Sequence, residues 1–162
     1  MSLMKDLAPH MTVLHPLQTK AVVMLCDIKD TIKDELEPKL KDISAQSSLI
    51  SLQFSQEDLG ERFKACTTRI FDEIQGILKE HSKDKTLIQV VVSKYGQQQL
   101  YQGLAGLLKT AALENPTMAA QLIEIEQQET AENLLEKLKE NSQNPEDKQI
   151  SYRNGKRYIE AL

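Results

Sequence analysis

Ala21-Val22-Val23-Met24-Leu25-Cys26 is a short, unbroken apolar run, and it stops at Asp27. A run of this length with no polar residue on alternate positions is the pattern of a strand buried on both faces. Such a strand belongs in the middle of a sheet that has helices above and below it.

Working outward, Ile28, Ile32, Leu36, Leu40 and Ile43 recur at helical spacing, and Pro38 should break or kink that segment. Leu49 to Phe54 reads as a second strand. Ser55, followed three residues later by Asp58, resembles a capping box for a helix that carries Leu59, Phe63, Cys66, Ile70, Ile74 and Ile77 to about Glu80. Thr86 to Val92 is the clearest strand, β-branched and apolar apart from Gln89. Gln97 to Leu113 makes the next helix, ending before Asn115-Pro116, with leucines on one face and Gly103, Gly106 and Thr110 on another. Leu122 to Ile125 reads as a strand, and Thr130 as the cap of a helix bearing Leu134, Leu135 and Leu138. A polar loop from Asn141 to Asp147 leads to Gln149–Tyr152, Asn154-Gly155 and Lys156–Ile159, and Asn-Gly between two short strands predicts a tight hairpin. The alternation predicts an α/β, Rossmann-like three-layer fold with a mostly parallel sheet and a C-terminal hairpin.

The 162 residues fit one domain, expected over 11–162, with residues 1–10 read as a tag and disordered leader because Met1-Ser2-Leu3 precedes a second methionine, Met4. Twenty basic against 24 acidic residues, spread along the chain, give no electrostatic basis for binding nucleic acid or an anionic membrane. Cys26 and Cys66 are too few to staple a secreted fold and fit a reduced cytoplasm. No apolar run approaches the roughly 20 residues of a membrane helix.

Chemistry is conspicuous by its missing motifs. A dinucleotide-binding unit needs glycines between its first strand and helix, so that the backbone closes on the pyrophosphate. Here that turn reads Cys26-Asp27-Ile28-Lys29, and Asp27 would repel a phosphate. His10, His15 and His81 stand without further ligands at metal-binding spacing. Tyr152 and Lys156 have the Y-x-x-x-K spacing of short-chain reductases, but that chemistry needs a helix, and these residues flank an Asn-Gly turn. Glu124 and Glu126 share strand parity and read as a solvated face rather than an acid/base pair. No catalytic, cofactor-binding or metal residue is therefore expected.

Gln89-Val90-Val91-Val92, then Gly103-Leu104-Ala105-Gly106-Leu107-Leu108-Lys109-Thr110-Ala111-Ala112-Leu113-Glu114-Asn115-Pro116, then Gln121-Leu122-Ile123-Glu124-Ile125 closely resemble modular polyketide synthase ketoreductase domains, specifically their N-terminal structural subdomain in trans-acyltransferase or hybrid assembly lines. Ile150 to Tyr158 resembles the end of that subdomain. The likeness is loose from Met11 to Ser82, and where such domains often carry a tryptophan in an early strand, Met11–Leu17 has Leu14-His15-Pro16.

The resemblance implies a truncated Rossmann fold that stabilises a neighbouring catalytic subdomain of the same parent chain. In the parent, that neighbour would use NADPH to reduce β-ketoacyl chains carried on the phosphopantetheine arm of an acyl carrier protein, within a cytoplasmic transferase multienzyme. Gly103, Gly106, Thr110, Asn115 and Pro116 are the candidate docking surface. The competing reading of the small residues is that they let the helix sit low on its own sheet. The alternative function is a free-standing α/β module that binds a protein such as a carrier protein without catalysis.

Overall fold

A computed structural model describes residues 2–3, 19–55, 57–80, 85–93 and 98–160. The expected strand Met11–Leu17 and all three histidines lie outside the described residues. The strands are β1 (Ser2–Leu3), β2 (Lys20–Cys26), β3 (Ser47–Leu52), β4 (Thr86–Ser93), β5 (Met118–Ile125), β6 (Gln149–Arg153) and β7 (Lys156–Glu160). The helices are α1 (Asp30–Leu36), α2 (Leu59–Glu80), α3 (Gln98–Glu114) and α4 (Ala131–Ser142), and a 3-10 segment, Glu37–Asp42, follows α1.

The sheet runs β1-β7-β6-β5-β4-β2-β3. From β3 to β6 every pairing is parallel, and the β6–β7 hairpin and the two residues of β1 add antiparallel pairings at one end. The α/β Rossmann-like expectation therefore holds. Ser2 and Leu3, read from sequence as part of a disordered leader, pair with Glu160 and Ile159.

Local chemistry explains the details. Pro38 cannot donate to the turn before it, and the chain tightens there from α-helix into the 3-10 segment, whose first turn holds the proline. Thr130 caps α4, with Oγ1 accepting from Asn133 N–H at 3.1 Å. The cap of α2 is Asp58 rather than Ser55: its Oδ2 accepts from Glu61 N–H at 3.2 Å, and the helix starts at Leu59. β3 lies two residues earlier than its apolar pattern predicts, and β5 starts at Met118 rather than Leu122. Two alanines and a buried glutamine had hidden the first half of β5. At the hairpin turn, Asn154 and Gly155 both have positive φ (52° and 76°), the conformation that makes Asn-Gly favourable there.

The core has two halves, one on each face of the sheet. On the first face α1, the 3-10 segment and α4 cover Val23, Leu25, Val91, Ile123 and Ile150. On the second, α2 and α3 cover Val22, Met24, Val90, Ala120 and Leu122. Fully buried side chains such as Ile70, Leu104 and Leu122 each contribute about 1.5–3 kcal/mol of hydrophobic stabilisation.

The placement of the helices fixes the handedness of the crossovers. The step from β2 to β3 moves one way across the sheet over the first face. The steps from β3 to β4 and β4 to β5 move the other way over the second face, so all three share one hand, the right-handed one by the general rule. The step from β5 to β6 continues in the same direction, yet α4 lies on the first face. That crossover has the opposite hand. Its consequence is that no described helix covers β6 on the second face, beside α3.

Candidate docking surface

In a sheet of this order the ligand crevice opens at the carboxyl ends of β2 and β4, where successive connections leave in opposite directions. Asp27 stands there, at φ 53°, with no glycine beside it. Its Oδ1 accepts from Phe54 N–H at 3.0 Å, and its Oδ2 accepts from Arg62 Nε at 3.2 Å and Nη2 at 2.5 Å. The carboxylate thus ties the end of β2 to the first turn of α2. A dinucleotide pyrophosphate does not fit this turn, because the Asp27 carboxylate would repel it and no glycine lets the backbone close on it. Just behind, the buried thiols of Cys26 and Cys66 hydrogen-bond to one another, which together with burial pushes the Cys26 thiol up.

Tyr152 and Lys156 are not brought together. Tyr152 pairs across the hairpin with Arg157 and is buried under α4, whereas Lys156 pairs with Arg153 and is exposed. The Tyr152 hydroxyl donates to Glu140 Oε1 at 2.8 Å and accepts from Asn141 Nδ2 at 2.9 Å. Burial above all, and then the Glu140 charge, push this phenol far up, which suits a structural hydrogen bond rather than proton transfer.

Tyr152 belongs to a buried polar network that the sequence reading missed. Arg157 donates to Asn141 Oδ1 (2.7 Å) and Asp147 Oδ2 (2.9 Å). Gln121 Nε2 donates to the carbonyls of Asn141, Asn144 and Asp147 at 2.9–3.0 Å, satisfying the end of α4 and the turn after it from the sheet beneath. Gln89, its register partner in β4, donates to Gln121 Oε1 and Leu138 O. The polar segment Asn141–Asp147 is accordingly no open loop: Asn141, Ser142, Asn144 and Asp147 are buried. The signal in the sequence was two glutamines interrupting otherwise apolar strands.

Glu124 and Glu126 each have a structural partner: Glu124 accepts from Ser151 Oγ at 3.2 Å across β5–β6, and Glu126 accepts from Gly155 N–H at 3.1 Å at the hairpin turn. Among the described residues, no group of three or more His, Cys, Asp or Glu is placed to hold a metal, and no helix is long and apolar enough to cross a membrane.

The five candidate docking residues are divided among different tasks. Gly103 lies under Phe63 of α2, inside the protein's own packing. Asn115 caps α3 through Nδ2, which donates to Ala111 O at 2.8 Å. Thr110 and Pro116 are exposed, and Pro116 borders a separate cleft near Lys85 and Ser142. Gly106 alone lines a groove of about 500 Å³ between α3 and the β5–β6 side of the sheet. The α3 wall of that groove is Gln102, Ala105, Gly106, Lys109, Ala112 and Leu113, spaced at three and four residues along one stripe. Its floor is Met118, Ala120 and Leu122, and Lys148 and Gln149 form the far rim.

A family described as beta-ketoacyl synthase-like, N-terminal, matches residues 26–158. The chain is 39% identical over 147 residues to polyketide synthase PksN of Bacillus subtilis (strain 168), and 36% identical over 137 residues to polyketide synthase PksL of the same organism. These alignments take in 91% and 85% of this chain but only 3% of either relative. Among solved structures, the crystal structure of a ketoreductase domain from the bacillaene assembly line superposes with a TM-score of 0.76 at 27% identity, covering 98% of this chain and 36% of that one. The chain belongs to the beta-ketoacyl synthase-like, N-terminal family, as a ketoreductase-related region of the polyketide synthase kind.

Proposed function

We propose that this chain is the non-catalytic structural subdomain of a polyketide synthase ketoreductase. It stabilises an adjacent catalytic subdomain of the parent polypeptide, which uses NADPH to reduce β-ketoacyl chains delivered on the phosphopantetheine arm of an acyl carrier protein. The observation that carries this reading is the crevice at the carboxyl ends of β2 and β4. Where a catalytic Rossmann unit presents glycines and free backbone donors, Asp27 holds a carboxylate whose partners are Arg62 and Phe54 N–H. Tyr152 and the two glutamates, the remaining side chains with catalytic credentials, are engaged in tying β6 to α4, β6 to β5 and the hairpin turn to the end of β5.

The test compares this chain with a longer one that restores the following part of the parent. The expected result is no NADPH binding by titration calorimetry and no ketone reduction by this chain, with both present in the longer one. NADPH binding or turnover by this chain alone would overturn the proposal.

A further inference from the structure

We propose that the groove between α3 and the β5–β6 side of the sheet seats an amphipathic helix of the catalytic subdomain, with apolar residues lying on Ala105, Gly106 and Ala112 and carboxylates set against Lys109 and Lys148. This inference rests on the reading above and names where and how the two halves meet. Four observations carry it. The opposite-handed β5–α4–β6 crossover puts α4 on the other face, so the groove is a position that no described helix fills. The α3 wall is a stripe at helical spacing whose middle holds the small residues Ala105, Gly106 and Ala112, and a Cβ added at Gly106 would meet nothing within 4 Å, so a second helix can approach closely there. Leu113, at the end of the stripe, is 76% exposed, the most exposed large apolar side chain described.

Charge supplies the fourth. The described residues lining the groove include two lysines and no carboxylate, in a chain of net charge -4. Among the described residues Lys148 donates to Pro145 O, at 3.0 Å, and an ammonium has two further donors for an incoming carboxylate. The source of the helix follows from coverage: this chain matches 36% of the solved ketoreductase chain, leaving most of such a polypeptide to provide it.

The longer chain, comprising this region and the following reductase half, is treated with a carbodiimide, which joins an amine to a touching carboxylate as an amide with no spacer. Mass spectrometry is expected to find Lys109 or Lys148 joined to an Asp or Glu in a helix of the reductase half. Gly106→Trp should abolish that product and lower the unfolding midpoint of the longer chain, while leaving the midpoint of this chain by itself unchanged. Lys109→Glu should reduce the cross-link several-fold. If the two halves stay associated after linker cleavage but neither lysine cross-links to the reductase half and Gly106→Trp changes nothing, the groove assignment is wrong and the structural-subdomain reading survives. Cross-links only between two copies of the chain would equally overturn it in favour of self-association. If the halves separate freely once the linker is cut and reduction is unaffected, the structural-subdomain reading itself fails and the groove assignment with it.

Discussion

A Cβ built on Gly103 falls 2.4 Å from both Cε2 and Cζ of Phe63, so the ring of one helix occupies the space a side chain would need on the other. Gly106, one turn further along α3, has nothing within 4 Å of the same atom. The two glycines of the Gly-x-x-Gly stretch therefore serve different interfaces.

Opposite responses to the same substitution follow. Gly103→Ala gains about 1 kcal/mol of helix propensity but forces Phe63 out of its place, for a net loss of about 1–2 kcal/mol. Gly106→Ala meets no neighbour and should stabilise the chain by up to about 1 kcal/mol. In a Phe63→Ala background the Gly103→Ala change should turn favourable. Urea unfolding of the four variants measures all three signs, and a destabilising Gly103→Ala that persists without Phe63 would contradict the packing assignment.

The Gln121–Asn141–Arg157 network predicts a graded series. Gln121→Leu keeps the volume but removes the donor that three carbonyls share, and should lower stability by about 2 kcal/mol. Arg157→Met removes the buried guanidinium that pairs with Asp147 and should lose about 3–5 kcal/mol. Asp147→Asn added to Arg157→Met removes the buried charge that this guanidinium balanced and should recover part of that loss. Denaturant midpoints with unchanged m-values are the readout.

Alkaline pH should weaken the fold through its buried phenols. Burial pushes Tyr101 up from 10.0 to about 12, and Tyr152 is raised further. The unfolded chain releases these protons first, so the stability is fully present below pH 10 and drains away as pH rises toward 12. The Tyr101 hydroxyl lacks a well-aligned hydrogen-bond partner, so Tyr101→Phe should be near neutral at pH 7 and flatten the fall in melting temperature between pH 10 and 11. A fall as steep as in the unsubstituted chain would assign the alkaline lability elsewhere.

These residues also mark what a sequence discloses. Ala21–Cys26 and Thr86–Val92 announced central strands because burial on both faces makes one wholly apolar and the other apolar but for Thr86 and Gln89, and Asn154-Gly155 announced its turn because few dipeptides accept positive φ twice. The first half of β5 was illegible because Gln121 is buried by bonds to residues up to 32 positions away. Asn141 and Asp147 read as loop for the same reason: their partner, Arg157, comes from the last strand. The groove was only half legible. The face read from the sequence was Gly103, Gly106 and Thr110, and of these Gly106 alone lines the groove: which glycine faces outward depends on Phe63, and the open floor depends on the hand of a crossover that no local pattern encodes.

Asp27 offers the sharpest separation of conformation from bonding, and of both from function. Its φ of 53° is tolerated by Asn and Gly and strained for Ala. Asp27→Asn keeps an acceptor for Phe54 N–H and loses only the charge that faces Arg62. With both side chains more than a quarter exposed, that ion pair is screened, and the loss should stay below about 1 kcal/mol. Asp27→Gly keeps the backbone conformation but loses both bonds, and Asp27→Ala adds the strain, for about 2 kcal/mol in total. The expected order of stability is Asp, Asn, Gly, Ala. A reversed order of Gly and Ala would mean that the left-handed conformation is not what the position demands. Asp27→Gly also probes the crevice, since it removes the carboxylate that opposes a phosphate without restoring the spaced glycines that would cradle one. It should gain no measurable NADPH affinity by calorimetry. Binding by that single variant would show that one carboxylate, rather than the whole geometry of the turn, keeps dinucleotides out.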